Sequence, residues 1–199
     1  MKKILLTTAA CAVLATSPAF AAEGDFYVGL NGGWAKMNKV NANDNKFKSK
    51  NDAYVSAAVG YSIMDNARVG VTFDHFFNPE FTYNKTNFSN KYKLDVNSLL
   101  VNGYVDLFDV SIMKVFAGAG VGFSRMSAKN SGTINGASFS TKIKANNYFA
   151  YTLRAGVSAE VAPGVYAEGS YGFNDCGKLK ILKKQIQTHQ VGGGVRFEI

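Results

Sequence analysis

Imidazole and thiol are scarce in this 199-residue chain: His75, His189, Cys11 and Cys176 are the whole supply. A catalytic zinc needs three protein ligands and a structural one four. These residues show no such spacing, so neither a metal nor any other cofactor is expected. Gly118, Gly120 and Gly122 form a Gly-x-Gly-x-Gly run, but it lies inside an alternating stretch and opens no helix, which is not the setting of a phosphate loop. A Ser–His–acid site needs three groups converging on one imidazole. His75 lies instead in Phe73-Asp74-His75-Phe76-Phe77, among aromatics. Turnover is not expected.

Charge offers a different chemistry. Fourteen lysines against four acids fall in four polar stretches, about 38–52, 78–93, 127–146 and 174–188. Lys46, Lys48, Lys50, Lys85, Lys91, Lys142, Lys144, Lys178, Lys180, Lys183 and Lys184 are the candidate contact residues, with Phe47, Phe81, Tyr83, Phe88, Tyr92 and Phe139 interleaved as anchors. Such a surface attracts anions: phosphates of a glycolipid, sulfated glycans or acidic stretches of protein. The bland alternative is that the lysines only keep loops soluble and neutralise the lipid beneath them.

The elements between these stretches have a period of two, the signature of strands. In Asp25–Met37, Phe26, Val28, Leu30 and Trp34 alternate with Tyr27, Gly29, Asn31 and Gly33. The same alternation runs through Ala53–Ile63, Ala67–Phe77 and about 98–107, 115–124, 149–161, 165–174 and 190–199, making eight strands. Short connections (Met64-Asp65-Asn66, Phe108 to Met113, Ala162-Pro163-Gly164) alternate with the long polar ones. An even number of antiparallel strands with that asymmetry is the pattern of an outer-membrane barrel.

A soluble barrel would carry many Lys and Glu on its polar face. Here that face is mostly Gly, Ser, Asn and Thr, while aromatics gather at both strand ends: Phe26, Tyr61 and Phe197 at one, Trp34, Phe73, Phe123, Tyr151 and Phe173 at the other. The expected fold is therefore all-β, an eight-stranded antiparallel transmembrane β-barrel with short periplasmic turns and four long extracellular loops. Its lumen is just wide enough to be filled by side chains. Arg68, Asp74, Arg154, Glu160, Glu168 and Arg196 should point inward as three cations and three anions in interlocking pairs, since an unpaired buried charge is costly.

The first segment reads as an export signal. Lys2 and Lys3 precede an apolar run, and Ala19-Phe20-Ala21 is a small-x-small cleavage site. Cleavage between Ala21 and Ala22 gives a barrel domain of 22–199, lowers the formal charge from +8 to +6 and leaves Cys176 as the one thiol. The surface compartment argues against nucleic acid as a partner.

Several stretches resemble the small surface adhesins of rickettsiae, within the outer-membrane β-barrel superfamily: Tyr61-Ser62-Ile63-Met64-Asp65-Asn66-Ala67-Arg68, the run from Leu99 to Phe123, and Phe149-Ala150-Tyr151 leading to Glu160-Val161-Ala162-Pro163-Gly164-Val165. The resemblance implies surface display and adherence to host cells, with a host serum or matrix protein such as vitronectin as partner. It is weakest in the long loops, so it carries over no binding residue. Eight-stranded lipid A deacylases carry a Ser two residues after their His, and Phe77 stands there in this chain. The expectation is a monomeric adhesin set in outer-membrane lipid and lipopolysaccharide. The alternatives are a structural barrel without a specific ligand and a barrel enzyme acting on lipid.

Overall fold

The computed structural model describes residues 24–38, 41–42, 45–46, 48–49, 51–77, 80–85, 88–134, 137–179 and 184–199. The expected export segment with Ala21 and Ala22, and Lys50, Lys180 and Lys183, lie outside them. Twelve strands follow in chain order: β1 (Phe26–Met37), β2 (Asn41–Ala42), β3 (Asn45–Lys46), β4 (Lys48–Ser49), β5 (Asn51–Met64), β6 (Ala67–Phe76), β7 (Glu80–Lys85), β8 (Phe88–Val110), β9 (Met113–Ile134), β10 (Ala137–Ala162), β11 (Val165–Leu179) and β12 (Lys184–Glu198).

Eight of them, β1, β5, β6 and β8 to β12, pair antiparallel with sequence neighbours, and β1 closes the ring on β12. Three tight turns join strands at one end: Asp65-Asn66, Ser111-Ile112 and Pro163-Gly164. Pro presets φ for the first central position of its turn, and Gly164 takes φ 69° at the next, where a side chain would be strained.

Side chains in the middle of the wall are inverted relative to a water-soluble protein. Leu30, Val59, Val101, Val121 and Leu153 face outward and exposed, while Ser56, Thr72, Asn102, Ser124, Thr152 and Gln190 are buried inside. Trp34, Phe73, Phe123 and Phe149 form an exposed belt toward the long-loop end. Such a wall is stable only against hydrocarbon, where closure of the sheet satisfies every backbone group.

Beyond that belt the polarity reverses. Ala35, Met37, Tyr54, Phe76, Leu94, Val96, Met126, Ala128, Cys176 and Ile186 turn inward and pack into one apolar core, with Tyr148 against it. The polar loops expected over 78–92 and 127–146 are largely strand: β7 occupies 80–85, β8 starts at Phe88, β9 continues to Ile134 and β10 resumes at Ala137. These segments hydrogen-bond to one another as an extension of the barrel wall, with β4 added along β7. The reason is the apolar inner face, which alternation in 94–96 and 126–128 supplies and a solvated loop could not bury.

Two outcomes test this arrangement. Ala119, midway along the lipid-facing side of β9, should lose about 2–4 kcal/mol of stability on replacement by Lys, measured by urea unfolding in vesicles; equal stability would place the wall outside hydrocarbon. Cys176, 1% exposed, should resist maleimide in the folded barrel and react promptly once heated in detergent, whereas rapid labelling of folded protein would mean that the core is open.

Candidate functional site

Two sets of charged groups occupy opposite ends of the barrel. At the short-turn end, Glu168 on β11 accepts from Arg196 Nε at 2.8 Å and lies 3.7 Å from Arg68 Nη2. Arg68 also donates to Asp106 Oδ1 at 2.8 Å, and Arg196 pairs with Glu198. The guanidinium groups lie over aromatic rings, Arg68 at 5.2 Å from Tyr104 and 5.0 Å from Phe116, Arg196 at 4.1 Å from Tyr166. Glycine makes room for this layer: a Cβ at Gly118 would fall on the Tyr104 ring.

Deeper inside, Arg154 Nη2 donates to Gln190 Oε1 at 3.4 Å and stands 4.0 Å from Asp74 Oδ1. The structure thus places Arg68, Asp74, Arg154, Glu168 and Arg196 in the lumen. Glu160 is corrected. It is exposed at the short-turn rim, where its carboxylate accepts from Gly164 N at 3.2 Å. Glu160 is opposite Tyr166, and the register of β10 shifts only past it, between Glu160 and Ala162, so it stands at the open mouth of the barrel beyond the ion-paired layer. Asp106 and Glu198 complete the network instead. Both share the inward phase of their strands, a signal already visible in the alternation.

A cavity of about 700 Å³, lined by Arg68, Asp106, Lys114, Tyr166, Arg196 and Glu198 among others, opens at the short-turn end. Above it the space between Tyr27, Arg68, Tyr104, Phe116 and Arg154 shrinks to about 20 Å³, and the apolar core closes the far end. The described lumen is a filled interior with no continuous bore.

The lysine-rich end is built differently. Lys46, Lys48, Lys85 and Lys184 lie on strands. Lys142, Lys144 and Lys178 are exposed and Lys91 half-buried, all on strands as well. Charge expected on long loops is therefore carried largely by hydrogen-bonded sheet among the described residues. His75 Nδ1 lies 2.7 Å from Asn97 Oδ1, with the ring edge-on to Phe77, and its neighbour Asp74 points to the opposite face of the wall. His189 Nδ1 meets the Tyr171 hydroxyl at 2.5 Å.

The profile of the outer membrane protein beta-barrel domain matches residues 7–198. The chain belongs to that family. It is 34% identical, over an alignment of 228 positions that covers all of both chains, to a protein of Rickettsia felis named "Putative adhesin". It is 35% identical to "Putative adhesin RC1281" of Rickettsia conorii, covering all of this chain and 95% of that one. Among solved structures, Neisserial surface protein A superposes with a TM-score of 0.59 at 18% identity, over 89% of this chain and all of the other. Ail, the attachment invasion locus protein of Yersinia pestis, gives 0.52 at 16% identity over 88% of this chain and all of the other. The fold is that of an outer-membrane barrel, and the relatives are adhesin-type proteins by name.

Removing one carboxylate separates the two kinds of acid at the short-turn end. Glu168→Gln should cost about 3 kcal/mol, because buried guanidinium groups lose a partner. Glu160→Gln, exposed and still able to accept from Gly164, should stay within about 0.5 kcal/mol of the parent. Urea midpoints of the refolded variants check both values.

Proposed function

We propose that this protein is a surface-displayed adhesin whose long-loop end faces the outside and contacts host cell-surface, serum or matrix proteins. The observation that carries the reading is the exposed lysines, Lys144 and Lys178 among them, on sheet that projects past the aromatic belt. Ordered charge lowers the conformational cost of contact, because the strands bearing it are already fixed before a partner arrives. The names of the full-length relatives point the same way. Long-range attraction by lysine speeds encounter and sets salt sensitivity, and close contact supplies the rest of the affinity.

Several finer elements belong to the same proposal. Residues 1–21 direct export and are removed after Ala21, and the barrel acts as a monomer. A vitronectin-like protein is the partner implied by the family. Binding without turnover is supported by the geometry at His75 and His189, neither of which faces an acid and a nucleophile together among the described residues. Released fatty acid from lipopolysaccharide incubated with refolded barrel, lost on His75→Ala, would replace this reading by an enzymatic one.

Adherence is the direct measurement. Cells displaying the barrel should bind host cells, and exchange of Lys46, Lys48, Lys50, Lys178, Lys180, Lys183 and Lys184 for Gln should lower that binding several-fold and flatten its salt dependence. Unchanged binding with unchanged salt response would remove the electrostatic basis. A leaky envelope with normal adherence in a deletion strain would favour the structural alternative.

A further inference from the structure

Above the aromatic belt, the outward face of β8, β9 and β10 carries a row that electrostatics alone disfavours. Lys93 stands directly opposite Lys129, and Lys129 directly opposite Lys142. Partners directly opposite in a sheet project from the same face with Cβ atoms about 5 Å apart, and like charges so placed repel. Glu80 on β7 is the register partner of Lys93 on its other side. Lys129 has a lysine on either side, and Lys129 and Lys142 are both exposed.

Height and direction identify what would relieve this. In the row Leu99, Phe123 and Phe149, opposite one another across the three strands, the side chains face lipid. Two residues further along β9, on the same face, comes Arg125, opposite Asn97 and Asn147. Lys129 follows four residues later. At roughly 3.4 Å per residue and a strand tilt of about 45°, Arg125 lies about 5 Å and the lysine row about 14 Å above the belt. Those are the levels of a headgroup and of the first sugars above it. The side chains also project sideways, along the direction of the lipid-facing wall, toward molecules packed beside the barrel. Asp95, hydrogen-bonded by Asn97 at 2.9 Å, is the acid on this face of β8 between the two basic levels.

We propose that Arg125, Lys129 and Lys142 form a lateral binding site for a phosphate-bearing glycolipid of the outer leaflet, with Arg125 at one headgroup phosphate and the lysine pair reaching down to a second. The site rests on the outward orientation of the long-loop end and shares Lys142 with the candidate host-contact residues, but the adherence assay exchanges none of its residues, so the two readings are tested apart. Its ligand is a neighbour in the same membrane. It converts a repulsive row into a clamp on the projecting sheet.

The test uses the barrel refolded into phosphatidylcholine vesicles with or without bisphosphorylated lipid A. The Lys129→Gln/Lys142→Gln pair is compared with the parent after unheated electrophoretic mobility has shown both to be folded. Without lipid A, the double variant should unfold at the same or higher urea concentration, because repulsion is gone. With lipid A, the parent should gain stability and the variant should need roughly thirtyfold more lipid A for the same gain, the size expected for two lysines leaving an anionic surface. Added salt should erase the parent's advantage. Equal response of parent and variant, or an equal gain with dephosphorylated lipid A, would overturn the proposal. So would lysine-dependent binding of a heparin fragment with no response to lipid A, which would assign the row to a soluble sulfated glycan. Loss of adherence with an intact lipid A response leaves this site standing and tests only the host-binding reading, and the reverse result separates them the other way.

Discussion

A peptide group in hydrocarbon has no water to bond with, and each one left unpaired costs several kcal/mol. That single constraint closes β1 onto β12 and leaves no free strand edge across the membrane zone. Closure at eight strands makes a lumen that only side chains can fill. The filling then follows from what alternation brings inside. Arg68 and Arg196 pair with Asp106, Glu168 and Glu198 at the short-turn end, Arg154 stands 4.0 Å from Asp74 at the centre, and small residues such as Gly118 give way to Tyr104.

The same alternation changes phase where the surroundings change. On β9, Val115 to Phe123 present odd-numbered apolar residues to lipid, whereas the even-numbered Met126 and Ala128 are buried a few residues later. On β8, Leu99, Val101 and Val105 face out, and Leu94 and Val96 face in. A strand keeps its pleat across the interface, so the solvent outside decides which phase must be apolar. The wall therefore carries an inverted lower storey and a conventional upper one, and the upper core seals the barrel. Charge follows the switch: lysine is excluded from the outward face in the lower storey and favoured on it in the upper.

This division gives the adhesin-type family a rigid platform. The proposed contact groups that are described stand on sheet beside the apolar core, well removed from the ionic layer at the other end. In the proposed orientation, outward-facing basic residues just above the belt would meet the membrane's own lipids first, and the projecting hairpins what lies beyond. Two classes of anion can thus be separated by height on one surface.

The sequence alone determined the membrane barrel, because a two-residue period with Gly, Ser and Asn on one face and Val, Leu and aromatics on the other has one stable surrounding. It determined the eight spanning strands, the tight turns and most lumenal charges, since parity sorts side chains wherever register is regular. The upper core was also written there, as apolar residues shifted by one position at 94–96 and 126–128, but those residues lie among polar neighbours that look like loop. Only the tertiary structure decided that these stretches pair, because pairing is worthwhile only when several strands bring their shifted residues together. It alone left Glu160 exposed at the short-turn rim, outside the ion-paired layer, and aligned Lys93, Lys129 and Lys142. Cross-strand register is a property of the closed sheet, and no single strand contains it.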